Sequence, residues 1–242
     1  MYHRHSVSLI FPAYNEAENI QTAVTECKRL RLLDEIIVVD NNSTDGTAQL
    51  AKRAGARVVK ETRQGYGFAL RKGLAVAKGE YIVLAEPDGT FAIQDVKKLL
   101  PLLAKYDCVL GTRTNVDFIH PQANMHGLLR LGNVLLAGYQ RWVYGLESLT
   151  DCGCTFRAFR RQVVKSIAPH LTVGSSHFLP ETVALTALLG YRIVEVPVHY
   201  LPRIGQSKIT GSLRKSIQVG WNMWWLITKT KWRKKEVLTL PS

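Results

Sequence analysis

Tyr81-Ile82-Val83-Leu84-Ala85-Glu86-Pro87-Asp88-Gly89-Thr90 decides the fold class. Its five leading apolar residues form a short continuous run, the pattern of a strand buried on both faces. The run ends in two carboxylates spaced i, i+2. A strand closing on Glu86 and Asp88 puts hard oxygen donors at its carboxyl end, where a divalent cation is well served.

Working outward, short apolar runs recur at Ser8–Phe11, Glu35–Val39, Ala56–Lys60 and Cys108–Gly111. Helical patterns over Glu16–Leu32, Thr47–Ala54, Gly67–Ala77 and Gln94–Ala104 lie between them. This alternation predicts βαβ units around a mostly parallel sheet. Ser43-Thr44-Asp45 supplies candidate N-caps for the second helix, and Gly55 and Gly79 stand where helices should stop. After Gly111 the spacing predicts helices over Gly127–Leu146, Arg160–Ala168 and Leu179–Leu189, then a strand over Arg192–Val198. One domain over residues 1–210 is expected, followed by a C-terminal amphipathic basic segment over 211–242.

That segment places Trp221, Trp224, Trp225 and Trp232 ahead of Arg233, Lys234 and Lys235. Aromatic rings with a basic end suit a membrane interface, and a packing helix with a solvated tail is the alternative. The longest apolar stretches fall far short of the roughly 20 residues a spanning helix needs. Lys and Arg exceed Asp and Glu by 32 − 19 = 13, which favours an anionic partner. The four cysteines form no Cys-x-x-Cys pair, so buried thiols in a reduced cytosolic setting are expected.

The loops after the predicted strands read Pro12-Ala-Tyr-Asn-Glu16, Asp40-Asn-Asn-Ser-Thr-Asp45, Glu86-Pro-Asp88 and Gly111-Thr-Arg113. In open α/β sheets ligands bind beyond the carboxyl ends of the strands, so three acidic loops converge on one rim. Magnesium or manganese needs only one or two carboxylates when substrate phosphates complete its shell. No Gly-x-x-x-x-Gly-Lys-Ser/Thr loop is present, and no Gly-x-Gly-x-x-Gly follows the first strand, which argues against kinase-like and dinucleotide-dependent chemistry.

As a set, Pro12–Glu16, Val38-Val-Asp-Asn-Asn-Ser-Thr-Asp-Gly-Thr47, Glu86-Pro-Asp-Gly89 and Gly111-Thr-Arg113 resemble the family 2 inverting glycosyltransferases of the GT-A fold. Asp151-Cys-Gly-Cys-Thr-Phe-Arg157, Glu195-Val-Pro-Val198 and Arg203-Ile-Gly-Gln-Ser-Lys208 are similar to the dolichyl- or polyprenyl-phosphate mannose and glucose synthases. The resemblance implies that Pro12, Tyr14, Glu16 and Asp40 line a nucleotide pocket. It implies that Asp88, with Glu86, holds Mg²⁺ or Mn²⁺ against the donor diphosphate, and that Arg113, Arg203, Ser207 and Lys208 contact phosphates. The family more often carries Asp-x-Asp where this chain has Glu86-Pro-Asp88, and Asn41 stands where a second aspartate is frequent.

Arg130 is either a further phosphate contact or a snorkelling charge on an apolar helix. Asp151 can orient Arg157 or an acceptor group, or cap a turn. Glu181, at a helix start, also serves as a cap.

The activity implied is inverting sugar transfer from a UDP- or GDP-sugar to a polyprenyl phosphate, by a peripheral protein at the cytoplasmic membrane face, with a membrane-anchoring partner also open. A lipid phosphate is already anionic and needs little general-base help, whereas a hydroxyl acceptor requires a positioned carboxylate. The competing expectations are the same chemistry on a soluble or polysaccharide hydroxyl and, more remotely, a non-catalytic nucleic-acid binder. The rim acids, which repel phosphate without a metal, argue against nucleic acid.

Overall fold

The computed structural model describes residues 2–123, 127–204 and 213–239, with the backbone alone at 128–129 and 213–217. Among these residues seven strands form one sheet: β1 (Val7–Ala13), β2 (Glu35–Asp40), β3 (Arg57–Lys60), β4 (Tyr81–Leu84), β5 (Cys108–Thr112), β6 (Arg157–Arg160) and β7 (Ile193–Pro197). Their order is β3-β2-β1-β4-β6-β5-β7. All neighbours run parallel except β6, which pairs antiparallel with both β4 and β5. The chain builds outward from β1 through β2 to β3, then returns to place β4 on the other side of β1. The crevice beyond the carboxyl ends of β1 and β4 is therefore the switch point at which such sheets bind ligands.

Both sheet faces are covered, so β1 and β4 are buried at every residue. Alternate side chains feed opposite cores: Leu9, Phe11, Val38 and Val83 pack on one face, and Ile10, Ile37, Val39, Ile82 and Leu84 on the other. The first face is closed by α1 (Ala17–Arg29) and α2 (Thr47–Arg53), the second by α3 (Tyr66–Val76), α6 (Arg161–Ile167) and α7 (Phe178–Leu188). Gly73 of α3 sits so close to β1 and β2 that an added Cβ would collide with Ile10 Cγ2 and come within 3.2 Å of Val39 Cγ2. Gly73→Ala is expected to destabilise the protein by about 1–3 kcal/mol through overpacking, read as a lower urea midpoint at unchanged slope.

The helix predicted over 94–104 is instead three short pieces: a 3₁₀ turn, α4 (Val96–Leu99), and a second 3₁₀ stretch over Leu100–Ala104. Pro101 removes an amide donor and crowds the preceding turn, which breaks the regular helix. The capping expectation is also corrected. Gly46, at φ +88°, occupies the N-cap of α2, while Asp45 accepts from the amides of Thr47 and Ala17 and so ties the starts of α2 and α1 together. Strand β6 has no counterpart in the sequence reading, which placed a helix start at Arg160; four residues bounded by arginines carry no clear alternation.

The long helix α5 (Gly127–Tyr144) packs against α8 (Leu213–Trp232), which also contacts α7; α9 (Lys234–Thr239) ends the described chain. Leu131, Leu135 and Trp142 of α5 and Trp221, Trp225 and Trp232 of α8 are exposed. Trp221 stacks on Trp224 at 5.0 Å, Trp224 neighbours Tyr139 at 5.9 Å, and Trp225 meets Trp232 edge-on at 5.8 Å, giving one aromatic surface. Among the described residues, no helix is long and apolar enough to cross a membrane. The four cysteines are free and buried, and burial pushes the Cys108, Cys152 and Cys154 thiols up to about 12.

Candidate active site

The acidic turn after β4 is built by local hydrogen bonds. Asp88 Oδ1 accepts from Thr90 N at 3.0 Å and Thr90 Oγ1 at 2.6 Å, closing an Asx-type turn. Gly89 takes φ +76°, a left-handed conformation that costs glycine little. The other oxygen, Asp88 Oδ2, is buried and lacks an aligned hydrogen bond, with Arg203 Nη2 at 2.6 Å as its ion-pair partner.

Glu86 accepts from Thr155 Oγ1 at 2.6 Å and Tyr66 OH at 3.1 Å through one oxygen. Burial, and then the charge of Asp88 beside it, pushes Glu86 up to about 7. A buried Asp88 with one orphaned oxygen and a half-buried Glu86 beside it are a donor set that fits a hard dication. Among the described residues no three His, Cys, Asp or Glu side chains converge, so such an ion would draw its remaining ligands from substrate and water.

The loop after β1 meets the loop after β2. Asn41 N donates to Ala13 O, Asn15 N to Ser43 Oγ, and Glu16 N to Thr47 Oγ1. Pro12 is buried within β1, Tyr14 is 40% exposed above it, and Glu16 accepts from Asn19 Nδ2. Asp40 is buried at the end of β2, accepting from Ser43 N at 3.3 Å. Asn41 explains its own departure from aspartate. Its amide donates to the carbonyls of Glu61 and Arg63 and accepts from Gly65 N, a set of bonds that an acceptor-only carboxylate cannot make.

Beyond β5 stands a second charged centre. Asp151 is fully buried and receives Arg113 Nε at 2.7 Å and Nη2 at 2.9 Å, a bidentate pair, together with Asn133 Nδ2 at 2.6 Å and Gly153 N at 3.1 Å. Burial alone would raise this carboxyl, but Arg113 and the other donors hold it below its ordinary value of 3.8. Asp151 therefore caps the turn and orients Arg113, not Arg157. Arg157 is itself fully buried and donates to the carbonyls of Cys152, Cys154 and Leu179 and to Thr182 Oγ1. Glu181 receives the amides of Thr172 and Val173, so it secures that loop and not its own helix start.

Because the Asp151 carboxyl sits below 3.8, its contribution to stability is complete above that value and fades as pH falls through the lower folded value. Asp151→Asn, which leaves the largely covered Arg113 side chain, 16% exposed, without its counter-charge, is expected to cost roughly 3 kcal/mol at pH 7. The gap from wild type should narrow as denaturant curves are taken below pH 3.8.

The strap after β7 closes the rim. Leu201 N donates to Thr90 O at 2.8 Å and Ile204 N to Asp88 O at 3.1 Å, which delivers Arg203 to Asp88. Arg130 is half-buried on α5, one turn before Asn133. Ser207 and Lys208 lie outside the described residues. The sequence reading missed Tyr66, Asn133 and Thr155 as neighbours of the acids. Asn133 had a signal, an amide among the apolar residues at the start of α5, and Thr155 was quoted only within the Asp151–Arg157 motif, whereas Tyr66 had none. Glu195, quoted only within a motif, accepts from the amides of Thr150 and Asp151 at 2.8 Å and so holds the Asp151 turn from below.

The mostly parallel sheet, the carboxylates closing β4 and the acid-lined crevice at the β1/β4 switch point define a glycosyltransferase of the GT-A fold. Residues 8–168 match the family described as glycosyl transferase family 2, and the chain belongs to that family. An uncharacterized glycosyltransferase of Mycobacterium bovis is 33% identical over 227 residues, covering 92% of this chain and 98% of that protein. A dolichyl-phosphate hexose transferase of Haloferax volcanii is 28% identical over 204 residues, covering 84% of this chain and 86% of that one. The crystal structure of glucosyl-3-phosphoglycerate synthase from Mycobacterium tuberculosis, in complex with Mn²⁺, uridine diphosphate and phosphoglyceric acid, superposes with a TM-score of 0.73 at 20% identity. It covers 99% of this chain and 81% of that one.

Proposed function

We propose that this glycosyltransferase moves a hexose, with inversion, from a UDP- or GDP-sugar to a polyprenyl or dolichyl phosphate at the cytoplasmic membrane face. The observation that carries the lipid-phosphate acceptor is the state of Asp151. Both of its oxygens are occupied by Arg113, Asn133 and Gly153 donors, and its carboxyl is held below 3.8. A carboxylate so engaged is a poor general base, and an acceptor that arrives as an anion needs none. The dolichyl-phosphate hexose transferase among the relatives supports the same acceptor class.

In this reading Pro12, Tyr14, Glu16 and Asp40 receive the nucleoside, and Asp88, with Glu86 beside it, holds Mg²⁺ or Mn²⁺. The metal, when bound, neutralises charge on the departing nucleoside diphosphate. Arg203 reaches the same diphosphate from the strap. Arg113, made rigid by Asp151, presents its remaining donor edge to the acceptor phosphate, and Arg130 lies one turn away from that centre on α5. Fixed guanidinium groups lower the repulsion between two anionic substrates before reaction.

The exposed aromatic face of α5 and α8, with Arg141, Lys229, Lys234 and Lys235 on the same two helices and α9, is assigned to the membrane interface. Replacing Trp142 and Trp232, 78% and 69% exposed, by serine is expected to lower binding to anionic lipid vesicles by about tenfold or more, read by co-sedimentation. Catalysis is tested with labelled UDP- and GDP-sugars, Mg²⁺ and polyprenyl phosphate. Organic-extractable label from one donor supports the proposal. Label confined to water-soluble product would mean a hydroxyl acceptor instead.

A further inference from the structure

Arg203 does more at this rim than wait for a phosphate. Asp88 has one oxygen committed to the Thr90 turn, so Oδ2 is the oxygen left for a cation, and Arg203 Nη2 stands 2.6 Å from it. A hard divalent ion sits at about 2.0–2.1 Å from a carboxylate oxygen, so it and the guanidinium would compete for one buried atom while repelling each other. The strap itself has little freedom to leave. Leu201 and Ile204 are hydrogen-bonded to Thr90 and Asp88, Ile204 O accepts from Asn19 Nδ2, and Tyr200 bridges to Phe91. The Arg203 side chain, 30% exposed, is the part able to swing.

We propose that Arg203 is the specificity-determining residue of the cation site. It neutralises Asp88 until a nucleoside diphosphate draws the guanidinium away, so the pocket accepts a metal together with its diphosphate and discriminates against the free metal. The inference rests on the donor-site assignment of Asp88 made above. It makes metal and diphosphate binding mutually reinforcing, and by linkage each tightens the other by the same factor. It also differs in sign from a plain phosphate-binding arginine, whose loss would leave the affinity for free metal unchanged.

The test is Mn²⁺ binding to the full chain, followed by the paramagnetic resonance signal of the free ion, with and without UDP or GDP. Wild type, Arg203→Gln, Arg203→Lys and Asp88→Asn are compared after circular dichroism shows each to be folded. Wild type is expected to bind Mn²⁺ at least about tenfold more tightly with its nucleotide than without it. Arg203→Gln should bind free Mn²⁺ several-fold more tightly than wild type and lose most of the nucleotide enhancement, whereas Arg203→Lys, still cationic, should resemble wild type. If Asp88→Asn abolishes binding but Arg203→Gln leaves free-Mn²⁺ affinity unchanged or weaker, Arg203 is only a phosphate ligand and the inference is overturned. If Asp88→Asn binds Mn²⁺ as wild type does, the cation-site assignment fails, and this inference with it.

Discussion

Asp88→Asn will lose at least about a thousandfold in kcat/KM for sugar transfer, the scale seen when a preorganised charge at a reacting centre is removed. The fold will hardly notice. The asparagine Oδ1 can still accept from Thr90 N and Oγ1, so the turn survives, and the abandoned Arg203 is 30% exposed and can be hydrated. The decisive readout is therefore the combination of a thermal midpoint close to wild type with turnover near background at saturating Mg²⁺ or Mn²⁺. Glu86→Gln should behave differently: its amide oxygen can still accept from Thr155 and Tyr66, so a loss of about tenfold or less is expected. A thousandfold loss there would make Glu86 a ligand equal to Asp88.

Arg157→Met will unfold the protein far more readily while removing nothing from the rim. Arg157 is fully buried and, among the described residues, makes no hydrogen-bonded ion pair with a carboxylate; burial lowers its pKa, and its donors are spent on three carbonyls and a hydroxyl. Methionine fills much of the volume but leaves Cys152 O, Cys154 O, Leu179 O and Thr182 Oγ1 without that donor. Loss of such a buried network should cost on the order of 4 kcal/mol, or about a 10 °C drop in midpoint for a chain of this size. The effect passes to the site by geometry, since these carbonyls fix the segment that carries Asp151 and Thr155. Scanning calorimetry separates the outcomes: a midpoint within about 2 °C of wild type would mean that the carbonyls find water or other donors.

The opening run Tyr81–Ala85 and its acids were legible because both signals are local. A strand buried on two faces must be apolar throughout, and Glu86 and Asp88 could not sit inside it. The same logic recovered β1, β2, β3, β5 and β7 and most helices within a few residues. It failed at β6, where the flanking arginines Arg157 and Arg160 mask a strand whose place between β4 and β5 depends on those strands already being present. It failed over 94–104, where Pro101 divides an apolar periodicity that otherwise looks continuous.

By itself, then, the sequence determined the alternation of strands and helices, the family, and the rim on which Pro12–Glu16, Asp40 and Glu86–Asp88 meet. Only the tertiary structure decided which charge answers which. Arg113 closes on Asp151 across 38 positions, and Arg203 reaches Asp88 across 203 − 88 = 115. The reason is physical: periodicity reports the environment of a residue within its own element, whereas an ion pair between loops is set by sheet order and strand direction. The antiparallel β6 brings the Asp151–Thr155 segment beside the ends of β4 and β5, and the strap after β7 lays Arg203 over the turn of Asp88.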